Sequence, residues 1–437
     1  MKKVQVEEVA AVSEKVALPE RVQESLGELV GAAKEGLLAL SVGVGLGVMH
    51  ELMASEVQEV CGPKGKHDPD RVAYRHGSDD GQVTLGGRRV AVERPRMRAK
   101  DGGELPLGTY EHFASRDALS RVVLERMLAG VSTRRFTRTQ EPVGEEVEQR
   151  ARSTSKSSIS RTFIARTAET LAGLMSRRLD DVRLAVLMLD GIELKGRCCV
   201  VALGIATDGV KVPLGLWEGS TENKTLATSL LSDLIERGLD VEQGVLVVLD
   251  GSKALRAAVD SVLGSRTPVQ RCVRHKERNV LDHLPERDRP AVKRRLRAAW
   301  NSDNHARALD ELRTLAQELE RSHPGAAASL KEGMAETLTV TRLGARGALK
   351  RTLQSTNPIE SMIECVRRSS RNVKRWQSGE MCLRWTAAGM LEAERQFRRI
   401  VGHKDLAKLA LAVEREVAEP VVLVTHRSEE TATLTTV

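Results

Sequence analysis

The stretch LAVLMLDGIELKGRCCVVALGIATDGVKVPLGLW, residues 184–217, decides the fold class. Its apolar runs are separated by short turn-forming segments, which predicts three consecutive β-strands. A helical stretch over 221–238, an apolar run at 245–249, a helical stretch over 252–263 and a short apolar segment at 268–270 follow. The order β-β-β-α-β-α-β predicts an α/β fold whose mixed sheet has one antiparallel flank.

Two of the predicted strands end in the same tripeptide, Leu-Asp-Gly. Asp190 follows the first strand and Asp250 follows the fourth. Carboxylates at the carboxyl ends of strands lie at the edge where α/β sheets bind ligands, and a following glycine lets a phosphate backbone approach closely. Asp-Gly is also ordinary turn chemistry, so one copy alone would indicate a turn. Two copies in this topology favour a carboxylate site.

Paired carboxylates at a sheet edge are typical of a divalent-cation site. Mg²⁺ takes one or two protein carboxylates together with substrate phosphates, and two-metal phosphoryl transfer needs a further carboxylate. The segment STNPIESMIE, 355–364, predicts a helix capped by Thr356 or Asn357. Glu360 and Glu364 share one face of that helix. Either could complete the site, and both could be ordinary exposed glutamates.

The composition excludes several classes of protein. The 437 residues contain 13 Pro, 35 Gly and six Cys without a fixed period, which excludes collagen-like, mainly disordered and disulfide-scaffold chains. The amino terminus has early acidic residues and no apolar core, unlike a secretory signal. The apolar run Gly36–Met49 is shorter than the ~20 residues of a membrane span. Because the cysteines form no Cys-x-x-Cys pair, we expect reduced thiols and a cytoplasmic protein. We also expect it to be associated with the nucleoid and to have no membrane segment.

The net charge of +8 is unevenly distributed. Residues 1–60 carry five basic and ten acidic side chains, so the remaining chain carries a net charge of +13. A basic body indicates a nucleic-acid partner. Only two Tyr, four Phe and four Trp are present, and proteins that stack single-stranded bases need aromatic faces. If the partner is a nucleic acid, the phosphate backbone of a duplex is therefore the expected target.

Two amino-terminal segments are candidates for DNA contact. VTLGGRRVAVERPRMR, 83–98, has the alternation of a β-hairpin, and its arginines suit either a solvated edge or a phosphate-contacting ribbon. SKSSISRTFIARTAETLAGLM, 155–175, is similar to the recognition helix of a helix-turn-helix unit, although helical bundles that bind nothing show the same pattern. The basic residues selected in these segments are Arg88, Arg89, Arg96, Arg98, Lys156 and Arg161.

A third basic segment continues the predicted Glu360 helix. CVRRSSRNVKRW, 365–376, contains no acidic residue. Such a run is usually a solvated helix face, but here it would flank the carboxylate site, which favours contact with DNA phosphates. Its basic residues are Arg367, Arg368, Arg371, Lys374 and Arg375.

The pair Cys272-x-x-His275 raises the question of zinc. Structural zinc normally has four ligands; His283 is a possible third ligand and no fourth is evident. A structural or DNA-contacting role is therefore preferred for the pair.

The order and spacing of these motifs resemble the Mutator-type transposases of bacterial insertion sequences. LDGIELK, LDGSKAL and STNPIES resemble the Asp, Asp and Glu motifs of that family, which selects Glu360 over Glu364. The other segments that resemble family motifs are YRHG (74–77), VERPRMR (92–98), GVSTRRF (130–136), SKSSISR (155–161), PLGLWEGSTEN (213–223) and QRCVRHKERN (270–279). The chain departs from the family pattern at His76, where Asn is usual, and over 137–154.

This resemblance implies a ribonuclease H-like catalytic core with an all-α insertion, preceded by a helical, helix-turn-helix DNA-binding region. It implies that Asp190, Asp250 and Glu360 hold two Mg²⁺ ions, or Mn²⁺, for cleavage and transfer of DNA strands. Terminal inverted repeats and target DNA are the implied partners of a homo-oligomer. Lys195 is an implied DNA contact, and the implied structural or DNA-contacting residues are Trp217, Cys272, His275 and Asn357.

The predicted domain organisation follows from these assignments. The spacing of 110 residues between Asp250 and Glu360, against 60 between Asp190 and Asp250, leaves room for the insertion. The segments are 1–60 (acidic and helical), 61–115 (linker and basic hairpin), 116–180 (helix-turn-helix-like), 181–284 (core), 285–350 (all-α insertion), 351–405 (core with the Glu360 helix) and 406–437 (tail). A catalytically inactive DNA-binding derivative, or a nuclease of the same fold without end joining, is the alternative.

Overall fold

The computed structural model describes residues 37–66, 71–85, 88–114, 116–140, 143, 145–152 and 155–418. The chain divides into two compact units, one up to Arg166 and one from Thr167 onward. The elements of the first unit are α1 (Leu37–Cys61), β1 (Ala73–Leu85), β2 (Arg88–Ala99), β3 (Glu104–Leu105), α2 (Gly108–Ala114), α3 (Arg116–Leu128), α4 (Glu145–Arg150), β4 (Ala151–Arg152) and the start of α5 (Lys156–Ser176).

The first unit is built on the basic hairpin. Strands β1 and β2 pair antiparallel from Ala73 opposite Ala99 onward, so the first strand begins within the predicted linker and replaces its last part. Strands β3 and β4 both pair with β2. One face of α1, including Met49 and Met53, packs on apolar side chains of the hairpin such as Val90. Period-2 alternation along the strands and helical spacing along α1 explain this small core.

Two amino-terminal predictions have a partial outcome. The predicted acidic helical region corresponds to α1 in its described part, whereas residues 1–36 lie outside the described residues. No helix among the described residues has the length and apolar character needed to cross a bilayer. Helix α5 begins at Lys156, as the capping pattern predicts. The element directly before it is strand β4, and the helix-turn-helix stays a prediction.

The second unit contains the predicted α/β core. Its first elements are β5 (Leu184–Glu193), β6 (Cys198–Ala206), β7 (Lys211–Gly219), α6 (Lys224–Glu236), β8 (Leu246–Leu249), α7 (Lys253–Val262) and β9 (Val269–Arg271). The sheet has the order β7-β6-β5-β8-β9. Strands β5, β6 and β7 are antiparallel, and β8 and β9 run parallel to β5. This arrangement confirms the predicted α/β class and its mixed sheet.

Apolar cores cover both faces of this sheet. Val186 and Met188 of β5 face one core, and Leu187 and Leu189 face the other. Because successive side chains of a strand point to opposite faces, a strand covered on both sides must be apolar throughout. The uninterrupted run Leu184–Leu189 is explained by this burial.

The region between β9 and the Glu360 helix is helical, as predicted. Its elements are α8 (Val273–Asp282), α9 (Arg289–Asn301), α10 (His305–Ser322), α11 (Pro324–Lys331), α12 (Thr339–Arg342) and α13 (Gly347–Leu353). Leu296, Trp300 and Leu312 contribute to a core of its own. The buried amide of Gln270 joins that region to β9: its Nε2 donates to the Thr337 carbonyl at 2.9 Å, and its Oε1 accepts from Val340 N at 2.9 Å.

The last three helices complete the core. They are α14 (Asn357–Ser370), α15 (Gly379–Glu394) and α16 (Leu406–Ala418). Helix α16 corrects the prediction of a tail from 406, because Leu406, Leu409 and Val413 are buried in the main core. Helices α14 and α15 approach so closely that a Cβ on Gly389 would lie 2.8 Å from Val366 Cα.

We expect opposite effects from two Gly→Ala substitutions within helices. Gly389→Ala should lower the free energy of unfolding by about 1–3 kcal/mol, because the methyl group overpacks the contact between α14 and α15. Gly173 lies in α5, where an added Cβ would meet no atom within 4 Å, so Gly173→Ala should raise the free energy of unfolding by up to about 1 kcal/mol through helix propensity. Urea unfolding of both variants measures the difference, and equal changes would contradict the close packing.

Candidate active site

The two aspartates lie side by side at one edge of the sheet. Strands β5 and β8 pair in parallel with Met188 opposite Val248. The same register, continued by two residues, brings Asp190 next to Asp250. Neighbouring strands are about 4.8 Å apart, so the two carboxylates share one site, as their position after the strands predicts.

Each aspartate is held by a local backbone hydrogen bond. Asp190 Oδ1 accepts from Gly191 N at 2.8 Å, and Asp250 Oδ1 accepts from Ser252 N at 2.8 Å. Ser252 in turn caps α7, because its hydroxyl accepts from Leu255 N at 3.3 Å. These bonds fix the direction of both carboxylates where the strands end.

The electrostatic environment of Asp190 is unfavourable for its negative charge. Burial and, next, the nearby carboxylate of Asp250 raise the pKa of Asp190 to about 7, against opposing contributions from Gly191 N and His275; the carboxylate of Glu360 adds a smaller upward contribution. Within the described residues, neither Asp190 nor Asp250 has an ion-pair partner. A bound cation would offset the unfavourable burial of these negative charges and their mutual repulsion.

Glu360 reaches the same edge through the turn after β9. Cys272 N donates to the Leu249 carbonyl at 2.7 Å, and Val273 N donates to the Gln354 carbonyl at 2.9 Å. The segment before α14 is thereby tied to the end of β8. Helix α14 begins at Asn357 and carries Glu360 in its first turn, where the helix dipole favours a carboxylate.

The hydroxyl of Thr356 connects three polar side chains. It donates to Glu360 Oε1 at 2.5 Å, and it lies 3.4 Å from both Cys272 Sγ and His275 Nδ1. The sequence suggested Thr356 as a helix cap, but its side chain makes no capping bond. Its buried hydroxyl instead orients the glutamate, a role that no local pattern signals.

Cys272 and His275 act as a coupled pair. Burial alone would raise the pKa of the Cys272 thiol, but hydrogen bonds from His275 and Thr356 outweigh burial and lower it. The hydrogen bond to Cys272 is also the main reason that the pKa of His275 is raised. His275 Nε2 lies 3.8 Å from Glu360 Oε1. The pair predicted to be structural or DNA-contacting thus borders the carboxylate site.

A further carboxylate at this edge was not selected from the sequence. A Cβ on Gly191 would lie 2.4 Å from Glu222 Oε2, so the glycine makes room for Glu222. The pKa of Glu222 is raised overall: burial and, to a smaller extent, the charge of Asp250 raise it, and a hydrogen bond from Ser252 opposes them. Glu222 lies in a turn before α6 and has no strand-end motif, which is why the pattern did not reveal it.

The donor set fits Mg²⁺. Asp190, Asp250 and Glu360 offer oxygen ligands only, which a hard divalent cation prefers. Among the described residues, their carboxylate oxygens do not all lie within 4.8 Å of one another. A site for two ions about 3.5–4 Å apart allows such separation, since ligands of different ions need not touch.

Comparison with known proteins identifies the family. A family model described as "Transposase, Mutator family" matches residues 27–399. The chain belongs to the Mutator family of transposases. The predicted resemblance is thereby confirmed.

Curated relatives of this transposase match along most of its length. The transposase for insertion sequence element ISRM5 of Rhizobium meliloti (strain 1021) is 29% identical over 382 residues, which cover 83% of this chain and 92% of the relative. The transposase for IS1081 of Mycobacterium tuberculosis is 26% identical over 83% of the chain and 87% of the relative. The transposase for IS256 in transposon Tn4001 of Staphylococcus aureus is 24% identical over 75% and 83%.

The basic residues on helix α14 of this transposase and beyond it are solvent-exposed. Within the described part of the chain, no carboxylate pairs with any of the five basic residues between Arg367 and Arg375. Arg368 instead donates to Cys365 Sγ at 3.1 Å. Lys195 is also exposed, and its Nζ donates to the Lys374 carbonyl at 3.5 Å. Lys195 has a positive φ of 48° in the β5–β6 turn. The five residues are Arg367, Arg368, Arg371, Lys374 and Arg375.

The arginines of the hairpin are less available for contact with DNA phosphates than the basic residues at the end of α14. Arg88 is buried and donates to Glu148 at 2.9 Å, which corrects its prediction as a phosphate contact. Arg96 makes a bidentate pair with Glu104 at 3.0 Å. Arg98 is exposed and donates to the Gly102 carbonyl at 2.8 Å, and Arg89 is partly exposed.

The other selected residues have mixed positions. Lys156 and Arg161 are exposed on α5, and Asn357 is exposed at the start of α14. Trp217 is half-buried on β7 and packs against the core that α6 covers. This packing fits the structural role that the resemblance implies for Trp217.

We expect Asp190→Asn to stabilise the metal-free transposase in a pH-dependent way. A folded-state pKa raised to about 7 means that the folded protein binds more protons than the unfolded one between about pH 4 and 7. The aspartate therefore destabilises the fold increasingly as the pH rises through that window. The variant should gain about 2–4 kcal/mol at pH 8 and almost nothing near pH 4.

Unfolding in urea with EDTA across this pH range measures the difference. The exposed Asp310→Asn variant is the control and should change stability by less than about 0.5 kcal/mol at either pH. A gain for Asp190→Asn that is the same at both pH values would contradict the raised pKa.

Proposed function

We propose that this Mutator-family transposase binds the terminal inverted repeats of its element, and cleaves and transfers DNA strands by a two-metal Asp-Asp-Glu mechanism. The observation that carries the proposal is the convergence of Asp190, Asp250 and Glu360, from β5, β8 and α14, at one edge of the sheet. Family membership supports a transposase, and the carboxylates supply the chemistry.

The topology supports a ribonuclease H-like core. Three antiparallel strands, β5 to β7, are followed by two strands parallel to β5, with the helical insertion after β9. The insertion leaves the sheet and returns to it through α14. The long sequence separation of Glu360 from the aspartates therefore does not prevent a common site.

The residues divide the work of the reaction. Asp190, Asp250 and Glu360 would hold two Mg²⁺ ions, which when bound activate the attacking oxygen and stabilise the leaving oxygen of an in-line displacement at phosphorus. Gly191 and Ser252 fix the two aspartates through their backbone N–H groups. In the first step water attacks a DNA phosphorus, and the P–O3′ bond breaks to leave a 3′-hydroxyl. In the second step that hydroxyl attacks a phosphorus of target DNA, and the O3′ of the target strand leaves.

Helix α14 and the segment after it would hold the DNA. Their exposed cations extend from Arg367 to Arg375, beginning two turns after Glu360 on the same helix. A rise of 1.5 Å per residue puts Arg367 about 10 Å along the helix axis from Glu360. A duplex whose scissile phosphate lies at the carboxylates would therefore place neighbouring phosphates near these cations.

Pairing two element ends requires two active sites, and we propose an assembly of at least two copies. Analytical ultracentrifugation with and without terminal-repeat DNA tests this. A monomer bound to a single end under cleaving conditions would contradict the assembly.

Removal of any one carboxylate should abolish strand cleavage and leave DNA binding intact. We expect Asp190→Asn, Asp250→Asn and Glu360→Gln each to lower Mg²⁺-dependent cleavage of a terminal-repeat duplex by about 10³-fold or more, since the three ligands act as a unit. Glu364→Gln, one turn further along the same helix, is the matched control and should retain cleavage. Gel-based cleavage and fluorescence anisotropy measure the two properties.

Normal cleavage by any of the three variants would refute the triad. Cleavage by the unmodified protein without strand transfer into a target plasmid would favour the nuclease alternative, and binding without cleavage would favour the inactive derivative.

The charge on α14 predicts a change in salt dependence. The triple variant Arg367→Ala, Arg371→Ala, Arg375→Ala should weaken binding to duplexes of any sequence and reduce the slope of log affinity against log salt by about 2–3. A control triple variant, Arg294→Ala, Arg313→Ala, Arg321→Ala, removes the same charge from exposed positions of the helical insertion. An equal loss of slope in both would show that only net charge matters.

A further inference from the structure

Cys272, His275 and Glu360 form a cluster of three different metal-binding groups. One ligand atom from each lies within 4.8 Å of the others, and this is the sole cluster of three or more such groups found in the described part of the chain. The sequence offered His283 as a possible third ligand of the Cys-x-x-His pair, but His283 is not part of this cluster. The fold supplies one from α14, 85 residues beyond His275.

The ligand chemistry selects the metal. A thiolate, an imidazole and a carboxylate are the three groups with which proteins bind Zn²⁺, whereas Mg²⁺ prefers oxygen. Three protein ligands leave a fourth tetrahedral position open for water. The cluster therefore differs in kind from the all-oxygen site of Asp190 and Asp250.

The geometry allows a tetrahedral ion after small side-chain movements. Zn–N and Zn–O distances of about 2.0–2.1 Å put ligand atoms of a tetrahedral site about 3.3 Å apart, or about 3.6 Å where one is sulfur. His275 Nε2 and Glu360 Oε1 are 3.8 Å apart, and the remaining separations are at most 4.8 Å. Closure by up to about 1.2 Å suffices. The Glu360 side chain is 41% exposed and free to make it.

The surroundings stabilise the charged ligands. Cys272 is the residue that precedes the first turn of the ten-residue helix α8, and a helix amino terminus favours a thiolate. Thr356 is fully buried and donates to the Glu360 carboxylate. An outer hydrogen bond of this kind holds a ligating carboxylate in place.

We propose that Cys272, His275 and Glu360 bind one Zn²⁺ ion, with release of the Cys272 thiol proton to solvent. Glu360 then serves either this ion or the pair of Mg²⁺ ions. On the proposed function, on which this consequence rests, Zn²⁺ binding withdraws Glu360 from Asp190 and Asp250 and inhibits strand cleavage.

Cobalt spectroscopy on the metal-free full-length protein tests the site without using activity. Co²⁺, added in place of Zn²⁺, should give a thiolate-to-cobalt charge-transfer band in the near ultraviolet and the intense visible bands of a tetrahedral ion. Stoichiometric Zn²⁺ should remove both. Cys272→Ser should lose the charge-transfer band, and Glu360→Gln should weaken Co²⁺ binding by about a hundredfold or more, since even outer partners of a ligand are worth 10–100-fold.

Matched controls separate this site from other thiols and from the Mg²⁺ site. Cys365→Ser, also a buried cysteine but outside the cluster, should keep the band, and Asp250→Asn should keep it while losing cleavage. Circular dichroism checks that each variant is folded. If Cys272→Ser is unfolded, His275→Ala in folded form should show the loss of the tetrahedral visible bands.

Two results would overturn the proposal. One is the absence of a charge-transfer band in the unmodified protein at saturating Co²⁺, and the other is a band that persists in Cys272→Ser. Failure of the triad variants to lose cleavage would refute the proposed function and leave the cobalt result unaffected. A cobalt site without inhibition by Zn²⁺ would overturn the shared use of Glu360.

Discussion

The parallel pairing of β5 with β8 is the constraint on which the rest of the core depends. Both strands are buried on two faces, so apolar side chains fix their register, and Asp190 within β5 lies at the same level as Asp250 directly after β8. Burial and, next, the like charge of Asp250 disfavour the ionised form of Asp190, which is why its pKa is raised. The fold accepts this electrostatic cost where a cation is expected to bind.

The second constraint is the return of the chain from the helical insertion. A loop of this length has no local reason to bring Glu360 back to the sheet edge. Tertiary hydrogen bonds do so: Gln270 ties β9 to the insertion, and the backbone of Cys272 and Val273 ties the following turn to β8 and to the segment before α14. The insertion therefore supports the position of α14. Its packing and the placement of Glu360 are connected through these bonds.

Much of the fold and of the candidate site could be predicted because the sequence patterns that indicate them are local. The strand order, the two Leu-Asp-Gly ends, the helix at Lys156 and the helical insertion follow from periodicity and turn chemistry. The tail from 406 was predicted wrongly, since the apolar face of α16 has meaning only against a core that the rest of the chain forms. Thr356 and Glu222 were missed as site residues for the same reason. Their partners are distant in sequence, and their own segments resemble ordinary caps and turns.

Charge shows the limit of local reasoning most clearly. The hairpin and α14 carry equally dense runs of arginine in the sequence, yet Arg88 and Arg96 of the hairpin are paired with Glu148 and Glu104. The acidic partners of the hairpin arginines lie on β1, β3 and α4. Helix α14 buries its apolar face against the core, and no carboxylate among the described residues pairs with its arginines. An arginine with a carboxylate beside it attracts a phosphate less than an unpaired arginine, because the carboxylate repels the phosphate and offsets the positive charge. A similar density of arginines therefore yields a partly neutralised sheet in one unit and an exposed cationic surface beside the carboxylates in the other.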